Sequence, residues 1–297
     1  MPVTIAFIGL GNMGGPMVAN LVKAGHRVVG YDLSAASCQE AGESGAAIAG
    51  SVGEAVGEAE VAITMLPAGK HVLSVWAEAV PAARPGTLFI DCSTIDLGSA
   101  RAAHALAAEH GRPSLDAPVS GGVAGAAAAT LTFMAGGSRE AFAKAEPILA
   151  VMGKRVVHCG EAGAGQAAKI CNNMILGISM IGVGEAFVLA EKIGLSHQAL
   201  FDVASTSSGQ CWSLTSYCPV PGPVPTSPAN NGYKPGFAAA LMLKDLRLAQ
   251  EAALAAGATT PLGAEAAQIY ALFAGAGHAD DDFSAVINFV RGLGDRS

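Results

Sequence analysis

The chain carries little charge, and basic charge is the scarcer sign. Asp, Glu, Lys and Arg make up 14% of its 297 residues, and 17 basic residues stand against 24 acidic ones for a net charge of −7. Proteins that bind nucleic acid usually present a cluster of lysine and arginine, and none stands out in this sequence. The composition therefore favours a small-molecule partner and no nucleic acid.

Cysteine and histidine are few and scattered. The six cysteines form neither a CxxC pair nor a dense framework, and the seven histidines form no HxxxH or Cys/His cluster. This pattern predicts reduced thiols and no metal site. Because the first residues, MPVTIAFIG, lack the basic segment of a signal peptide, we expect a cytoplasmic protein.

A long uninterrupted apolar run is also missing, although the mean hydropathy is +0.42. The longest apolar stretch, near ILGISMIGVG, is shorter than the ~20 residues that a membrane span requires, and Asn173 and Glu185 bound it. We therefore expect no membrane partner, and we attribute much of the hydropathy to alanine in buried helices.

The first half of the chain alternates short apolar runs with helical stretches. These runs are TIAFIG, HRVVGYD, VAITML, TLFIDC, SLDAPV, TLTFMAG and VVHCG. Near-continuous apolar strands separated by helices predict a mostly parallel sheet that is covered on both faces. The short connection between SLDAPV and TLTFMAG predicts that the last two or three strands are antiparallel extensions.

Beyond about Gly160 the strand signals stop. Residues 166–192 are typical of one long buried helix, and further helices are predicted at 197–204, 237–256 and 261–275. The segment CPVPGPVPTSPANNGYKPG is too rich in proline and glycine for a helix or a central strand. The length and pattern together predict two domains, an α/β half followed by an all-helical half.

Glycines at positions 9, 11 and 14 form a GxGxxG run directly after a strand and at the start of a helix. Gly9 permits a tight turn, Gly11 lets backbone approach a pyrophosphate, and Gly14 allows close helix packing. The helix N-terminus supplies N–H donors to the anion. The expected dinucleotide contacts are Gly9, Leu10, Gly11, Asn12, Met13 and Gly14.

Asp32 ends the second strand, where a carboxylate accepts hydrogen bonds from both ribose hydroxyls of NAD. It would repel the 2′-phosphate of NADP, and no arginine follows it within Leu33 to Ala36. Because it follows a dinucleotide fingerprint, we favour this role over that of a solvated turn residue and predict NAD as the cofactor.

Two later strand ends are further candidates for cofactor contact. Met65, Leu66 and Pro67 follow the third apolar run, and Ser93 and Thr94 follow the fourth. Ligands of open parallel sheets bind at the carboxyl ends of strands. A simple turn, or a helix N-cap at Ser93 or Thr94, explains the same residues equally well.

The segment DAPVSGG, residues 116–122, ends a strand with a serine and two glycines. The hydroxyl of Ser120 and the backbone N–H groups of Gly121 and Gly122 could hold a carboxylate. An ordinary turn is the alternative.

Lys169 lies in GAGQAAKICNN, a run of otherwise small, apolar or amide residues. In a helix, Lys169 and Asn173 are four residues apart and share a face, while Asn172 is offset from it. Most lysines are solvated surface residues, but burial lowers the pKa of a lysine from its free value of ~10.4. A lysine tuned in this way can exchange a proton with a substrate hydroxyl near neutral pH.

Lys244 and Asp245 form a second charged pair within the apolar helix FAAALMLKDLRLAQEA. A charge pair on a solvated helix face is one interpretation. The other is an ammonium directed at the site, which would hold cofactor or substrate oxygens and help to lower the pKa of Lys169.

With these motifs in this order, the chain resembles the β-hydroxyacid dehydrogenase family along nearly its whole length. FIGLGNMGGPMVANL matches the cofactor signature, DAPVSGG the substrate signature, and Gly163, Gly165, Lys169 and Asn173 the catalytic signature GxGxxxKxxxN. The loop from Ser207 to Phe237 most resembles that of the 3-hydroxyisobutyrate dehydrogenase subfamily. Pro235 and Cys218 depart from that loop, since relatives tend to carry glycine and asparagine there.

The resemblance implies a Rossmann-type NAD-binding domain at residues 1–162, a long interdomain helix at 163–192 and an all-α domain of the 6-phosphogluconate dehydrogenase type at 193–297. It also implies that Trp212, Tyr217 and Phe237 wall a small substrate pocket and that Asp245 contributes to it. Lys244 is expected at the cofactor, and the family associates as homodimers or homotetramers.

The activity that the resemblance implies is NAD-dependent oxidation of 3-hydroxyisobutyrate to methylmalonate semialdehyde in valine breakdown, with Lys169 and Asn173 as catalytic residues. L-serine, 3-hydroxypropionate and tartronate semialdehyde are alternative substrates within the family. The lysine argues against an imine reductase, which usually lacks it. A dinucleotide-binding sensor or scaffold is the non-enzymatic alternative.

Overall fold

The computed structural model describes residues 2–294, which form two compact units that divide after Lys169. The first unit is α/β and the second is helical, so the predicted fold class is confirmed. The finer division at residues 162 and 192 stays a prediction, because the long helix contributes to both units.

Within the described residues, the first unit contains a nine-stranded sheet. Its strands are β1 Thr4–Ile8, β2 Arg27–Tyr31, β3 Ala47–Ile48, β4 Val61–Thr64, β5 Leu88–Asp91, β6 Ser114–Asp116, β7 Val119–Ser120, β8 Leu131–Gly136 and β9 Gly153–Gly160. The order is β3-β2-β1-β4-β5-β6-β8-β7, and β9 also pairs with β8. All pairs from β3 to β6 are parallel, whereas β8 runs antiparallel to β6 and β7.

Helices cover both faces of this sheet. They are α1 Gly14–Lys23, α2 Ala35–Glu43, α3 Val52–Val56, α4 Gly69–Ala82, α5 Leu97–Glu109, α6 Gly122–Ala127 and α7 Arg139–Met152. Side chains alternate along β1, so Ile5 and Phe7 join one core with α1 and α7, and Ala6 and Ile8 join another with α4 and α5. Two buried faces explain why these strands are apolar throughout.

The second unit is built from helices and one long loop. Its elements are the greater part of α8 Ala164–Lys192, then α9 His197–Ala204, α10 Trp212–Thr215, α11 Ala239–Ala256, α12 Pro261–Phe273 and α13 Val286–Gly294. The proline-rich segment, residues 218–236, follows α10 and is irregular apart from a 3-10 turn at Pro228–Asn231. Local sequence signals thus predicted α9, α11 and α12 to within two residues, but not α13.

Helix α8 is 29 residues long and, by length and composition alone, apolar enough to cross a membrane. The expectation that this region is too short for a membrane span is wrong, because the helix extends well beyond ILGISMIGVG. Its buried residues recur every three or four positions, and Met180 and Phe187 enter the two cores of the helical unit. This periodic burial is how a helix packs in the core of a protein.

Candidate active site

The glycine turn after β1 has the shape that a dinucleotide requires. Gly9 has φ +98°, and a Cβ there would lie 2.2 Å from the carbonyl oxygen of Met65. A Cβ on Gly14 would lie 1.8 Å from the carbonyl oxygen of Gly9, whereas a Cβ on Gly11 would meet nothing within 4 Å. Gly9 and Gly14 therefore permit close backbone packing, and Gly11 leaves open space for a ligand.

Helix α1 begins at this turn without a capping side chain among the described residues, and its first turn holds no acidic residue. The Gly15 N–H donates to the Gly11 carbonyl oxygen and Pro16 has no N–H, so the N–H groups that an anion can approach are those of the turn itself, at Gly11 to Met13. Together with the open space at Gly11, this arrangement fits the pyrophosphate of NAD.

Asp32 fastens the glycine turn to the end of β2. Its Oδ2 accepts a hydrogen bond from the Leu10 N–H at 2.6 Å, and its Oδ1 accepts one from the Ser34 N–H at 2.8 Å. Each carboxylate oxygen has a second lone pair, so both ribose hydroxyls can still donate to it. The neighbouring Leu33 is 92% exposed.

The ends of β4 and β5 are joined through Ser93. The Leu66 N–H donates to Ser93 Oγ at 2.8 Å, and Ser93 Oγ–H donates to Asp91 Oδ1 at 2.6 Å. Helix α5 is capped by Asp96, so Ser93 and Thr94 are not its N-cap. Ser93 instead holds the Met65-Leu66-Pro67 turn against the end of β5.

Asp91 is a residue that sequence reasoning missed, although a lone carboxyl ending the buried strand LFID was a usable signal. Thr64 Oγ1 also donates to its Oδ1, while its Oδ2 accepts no hydrogen bond among the described residues. Burial raises the pKa of Asp91 from 3.8 to about 6, against the lowering effect of the hydrogen bonds from Ser93 and Thr64.

The DAPVSGG segment turns sharply after Ser120. Gly121 has φ +136° and Gly122 has φ +61°, and both values favour glycine. Ser120 is partly exposed, and α6 begins at Gly122 without a capping side chain among the described residues. The serine hydroxyl and the following N–H groups are therefore accessible at this turn.

Asn173 and Asp245 are brought together inside the helical unit. Asn173 Nδ2 donates to Asp245 Oδ2 at 2.5 Å, and these two residues are 2% and 5% exposed. Asn172, which is exposed, donates from its Nδ2 to Asn173 Oδ1 at 2.9 Å. Since an ionised carboxylate only accepts, Asp245 fixes which end of the Asn173 amide faces it.

Lys169 is 6% exposed and lies one helical turn before Asn173 on α8. The two residues share a face of the helix, as their spacing predicted. Lys244 is partly exposed, and its neighbour Asp245 is engaged with Asn173, so this pair does not sit on a solvated face.

The three predicted aromatic residues are linked through a fourth, Phe283. Trp212 stacks on Tyr217 with ring centroids 4.8 Å apart, and Tyr217 stacks on Phe283 at 5.3 Å. Phe237 meets Phe283 edge-on at 5.8 Å. We call these four residues the aromatic wall.

Asp282, fully buried, organises this wall. Its Oδ2 accepts from Tyr217 Oη at 2.9 Å and from the N–H groups of Gly236 and Phe237 at 2.9 and 3.2 Å. Burial raises the pKa of Tyr217, and the Asp282 carboxylate raises it further. The sequence analysis did not predict Asp282 or Phe283 as site residues. No pattern in ADDDFSAV connects this segment to Tyr217, which lies 65 residues before Asp282 in the chain.

No group of three or more His, Cys, Asp and Glu side chains within residues 2–294 is arranged to hold a metal ion. The buried polar groups described above are an amine at Lys169, an amide at Asn173 and a carboxylate at Asp245.

Comparison with known proteins assigns both parts of the chain. Residues 4–160 match the profile of the NAD binding domain of 6-phosphogluconate dehydrogenase. Residues 163–290 match the profile described as NAD-binding of NADP-dependent 3-hydroxyisobutyrate dehydrogenase.

Similar proteins match over nearly the full length. A probable 3-hydroxyisobutyrate dehydrogenase of Mycobacterium bovis is 59% identical, with 98% of this chain and 99% of the relative covered. An NAD-dependent L-serine dehydrogenase of Pseudomonas aeruginosa is 48% identical, with 95% and 96% covered. The structure of the Mycobacterium tuberculosis 3-hydroxyisobutyrate dehydrogenase with L-serine, 59% identical, matches with a TM-score of 0.96 over 98% of this chain and all of the other.

Both profiles are described as NAD-binding, although the second is that of an NADP-dependent enzyme, and the L-serine dehydrogenase relative is NAD-dependent, so the predicted cofactor NAD is confirmed. By full-length identity, profile and fold, the chain belongs to the β-hydroxyacid dehydrogenases, within the 3-hydroxyisobutyrate dehydrogenase family.

Proposed function

We propose that this protein oxidises 3-hydroxyisobutyrate to methylmalonate semialdehyde with NAD, as a step of valine breakdown. The observation that carries the proposal is a buried lysine, Lys169, one turn from an asparagine that a buried carboxylate orients. A buried amine on an apolar helix is suited to proton exchange, because burial disfavours its charged form.

In this proposal Lys169 Nζ removes the proton from the substrate hydroxyl. Asn173 uses one N–H of its amide on Asp245 and directs the other at the substrate oxygen, which keeps that oxygen near Lys169. When bound, NAD supplies the hydride acceptor. Burial of these polar groups excludes water from the proton-transfer step.

Substrate and cofactor binding are assigned to the remaining residues. Ser120 Oγ and the N–H groups of Gly121 and Gly122 bind the substrate carboxylate, and Lys244 binds cofactor or substrate oxygens. Residues 9–14, Asp32, the Met65-Leu66-Pro67 turn and Thr94 bind NAD. The aromatic wall supplies an apolar surface for the methyl group of 3-hydroxyisobutyrate.

L-serine is the second candidate substrate, and two comparisons favour it. The Pseudomonas aeruginosa relative is an L-serine dehydrogenase, and the mycobacterial structure is described with L-serine. Serine carries an ammonium where 3-hydroxyisobutyrate carries a methyl group. An aromatic face attracts a cation, but an ammonium taken out of water also needs hydrogen-bond acceptors, which aromatic rings do not supply. This difference supports 3-hydroxyisobutyrate as the better substrate.

The proposal includes a homodimer or homotetramer in the cytoplasm. Large apolar side chains are exposed on and just after α8, with Ile175 64%, Leu189 60% and Ile193 69% exposed. Exposed large apolar side chains along one helix support association with a second copy.

The test is a kcat/KM comparison of 3-hydroxyisobutyrate, L-serine, 3-hydroxypropionate and glycerate, each with NAD and with NADP. We expect 3-hydroxyisobutyrate with NAD to give the highest kcat/KM. The margin over the other hydroxyacids should be moderate, because one methyl group in an apolar pocket changes the binding free energy by only about 1–3 kcal/mol. A clearly higher kcat/KM for L-serine would show that L-serine is the preferred substrate. Binding of NADH without turnover of any hydroxyacid would support a sensor instead.

A further inference from the structure

Helix α8 begins with a cap that comes from a different part of the chain. The carbonyl oxygen of Gly163 accepts the hydrogen bond from the Ala167 N–H, so Gly163 is the N-cap. Gly163 has φ +87° and no side chain, and thus cannot cap its own helix. The orphan N–H groups of the first turn need another acceptor.

Asp116, the first residue of DAPVSGG, is that acceptor. Its Oδ1 accepts from the Gly163 N–H at 2.8 Å and its Oδ2 accepts from the Gln166 N–H at 2.7 Å. These are the two N–H groups, at the N-cap and three residues on, that a capping box satisfies within one helix. Asp116 is 2% exposed, and His104 Nε2 also lies 2.9 Å from its Oδ1.

The side chain of Gln166 forms a second anchor. It is fully buried, donates from Nε2 to the Ser93 carbonyl oxygen at 2.7 Å, and accepts at Oε1 from the Ile95 N–H at 3.1 Å. The start of α8 is thereby tied to the chain that follows β5 as well as to the end of β6.

Two glycines, Gly136 and Gly165, allow close backbone packing at the start of α8, which prevents displacement of its first turn. A Cβ on Gly136 would lie 2.6 Å from the backbone nitrogen of Gly165, and a Cβ on Gly165 would lie 2.2 Å from the Met134 carbonyl oxygen. Both distances are shorter than any real contact of a Cβ. The first turn is therefore fixed by backbone packing as well as by hydrogen bonds.

Lys169 lies three residues after Gln166, on the next turn of the same helix. A shift of the first turn moves its amine directly, since a helix transmits displacement along its axis. We infer that Asp116 is a positioning residue that acts through Lys169: it fixes the first turn of α8 and so the place of the Lys169 amine. The inference rests on the proposed role of Lys169.

The decisive variant is Asp116→Asn, which keeps the volume of the side chain. One carboxylate oxygen becomes an NH2 group that faces a backbone N–H, so one of the two capping bonds is lost and two donors oppose each other. A misplacement of about 1 Å costs about 100-fold in rate, so we expect kcat to fall about 10- to 100-fold. The KM for the hydroxyacid and the Kd for NADH should change less than about threefold, because the groups that bind them are untouched.

Two controls separate positioning from general stability. Ser51→Ala removes the cap of α3, where Ser51 Oγ accepts from the Glu54 N–H at 3.1 Å, and should leave kcat unchanged. A double-mutant cycle with Lys169→Ala is the second control. If Asp116 acts through Lys169, then Asp116→Asn should lower the residual kcat of Lys169→Ala by less than about threefold.

Wild-type kcat in Asp116→Asn, or a full further loss in the Lys169→Ala background, would overturn the inference and leave the proposed function standing. Wild-type kcat in Lys169→Ala would instead overturn the proposed function. Should Asp116→Asn not yield folded protein, Gln166→Met tests whether the first turn of α8 places Lys169, by kcat at saturating NAD and by the double-mutant cycle with Lys169→Ala; wild-type kcat would overturn the inference. The Kd for NADH is not a criterion for Gln166→Met, because its anchor flanks Thr94.

Discussion

The amide of Asn173 on α8 and the carboxylate of Asp245 on α11 form a buried hydrogen bond within the helical unit. The carboxylate fixes the orientation of the amide, and the proposed function assigns the second N–H of that amide to a substrate oxygen. Asp245 is predicted from the resemblance to contribute to the substrate pocket, and this hydrogen bond supports a contribution through Asn173.

Asn173→Ala should therefore lower kcat/KM for the hydroxyacid by about 100-fold, the usual cost of a lost hydrogen bond donor to a reacting oxygen. Asp245→Asn should produce a loss of similar size, because the Asn173 amide is no longer held in one orientation. Steady-state kinetics with both variants measures this. Glu185→Gln is the matched control, since Glu185 is exposed on the same helix, and a loss as large as that of Asn173→Ala would contradict the account.

Stability should depend on pH through Asp91. Because its pKa is raised from 3.8 to about 6, the folded protein binds more protons than the unfolded chain between these values, and the free energy of unfolding falls as the pH rises through them. At neutral pH the raised pKa of Asp91 lowers the free energy of unfolding by about 3 kcal/mol relative to its value below pH 3.8.

Asp91→Asn removes this titration, and its NH2 group takes the place of Oδ2, which lacks a partner. We expect urea unfolding at a series of pH values to show a change in the difference in free energy of unfolding between the variant and the wild type. From about pH 3.5 to about pH 7 this difference should shift by up to about 3 kcal/mol in favour of the variant. A difference that stays constant with pH would contradict the assignment to Asp91.

Cofactor choice should follow Asp32. Asp32→Asn weakens two hydrogen bonds to ribose and removes the repulsion of a 2′-phosphate, so the Kd for NADH should rise about tenfold and the preference for NAD over NADP should shrink. Fluorescence titration with NADH and NADPH measures both effects. Leu33→Ala, next along the chain and almost wholly exposed, should leave both Kd values unchanged.

The aromatic wall should depend on the hydrogen bond from Tyr217 to Asp282. Tyr217→Phe removes a donor from a fully buried carboxylate and should lower the free energy of unfolding by about 1–3 kcal/mol and raise the KM for the hydroxyacid. Tyr233→Phe is the matched control, because Tyr233 Oη donates to the Pro219 carbonyl oxygen in the same unit without joining the wall. It should lower stability without changing the KM.

Local patterns predicted the sheet, the long helix and three of the later helices, because each depends on periodicity within one segment. The site depends on contacts between distant segments. Asp116 and the Gly163 N–H are 47 residues apart, and Asn173 and Asp245 are 72 apart. No spacing rule connects such pairs. Local patterns can also fail within one segment. The position of Ser93 fits a helix N-cap, but Asp96 caps α5, and Ser93 accepts a hydrogen bond from the Leu66 N–H instead.

The central claim is that Lys169 transfers the proton, and the most direct measurement is kcat of Lys169→Ala with NAD and 3-hydroxyisobutyrate, beside the Kd for NADH. Lys144→Ala, an exposed lysine on α7, is the matched control and should behave as wild type. General acid–base catalysis contributes about 100- to 10,000-fold, so kcat of Lys169→Ala should fall by that factor while NADH binds with its normal Kd. Near-normal kcat in Lys169→Ala, with NADH bound, would contradict the claim.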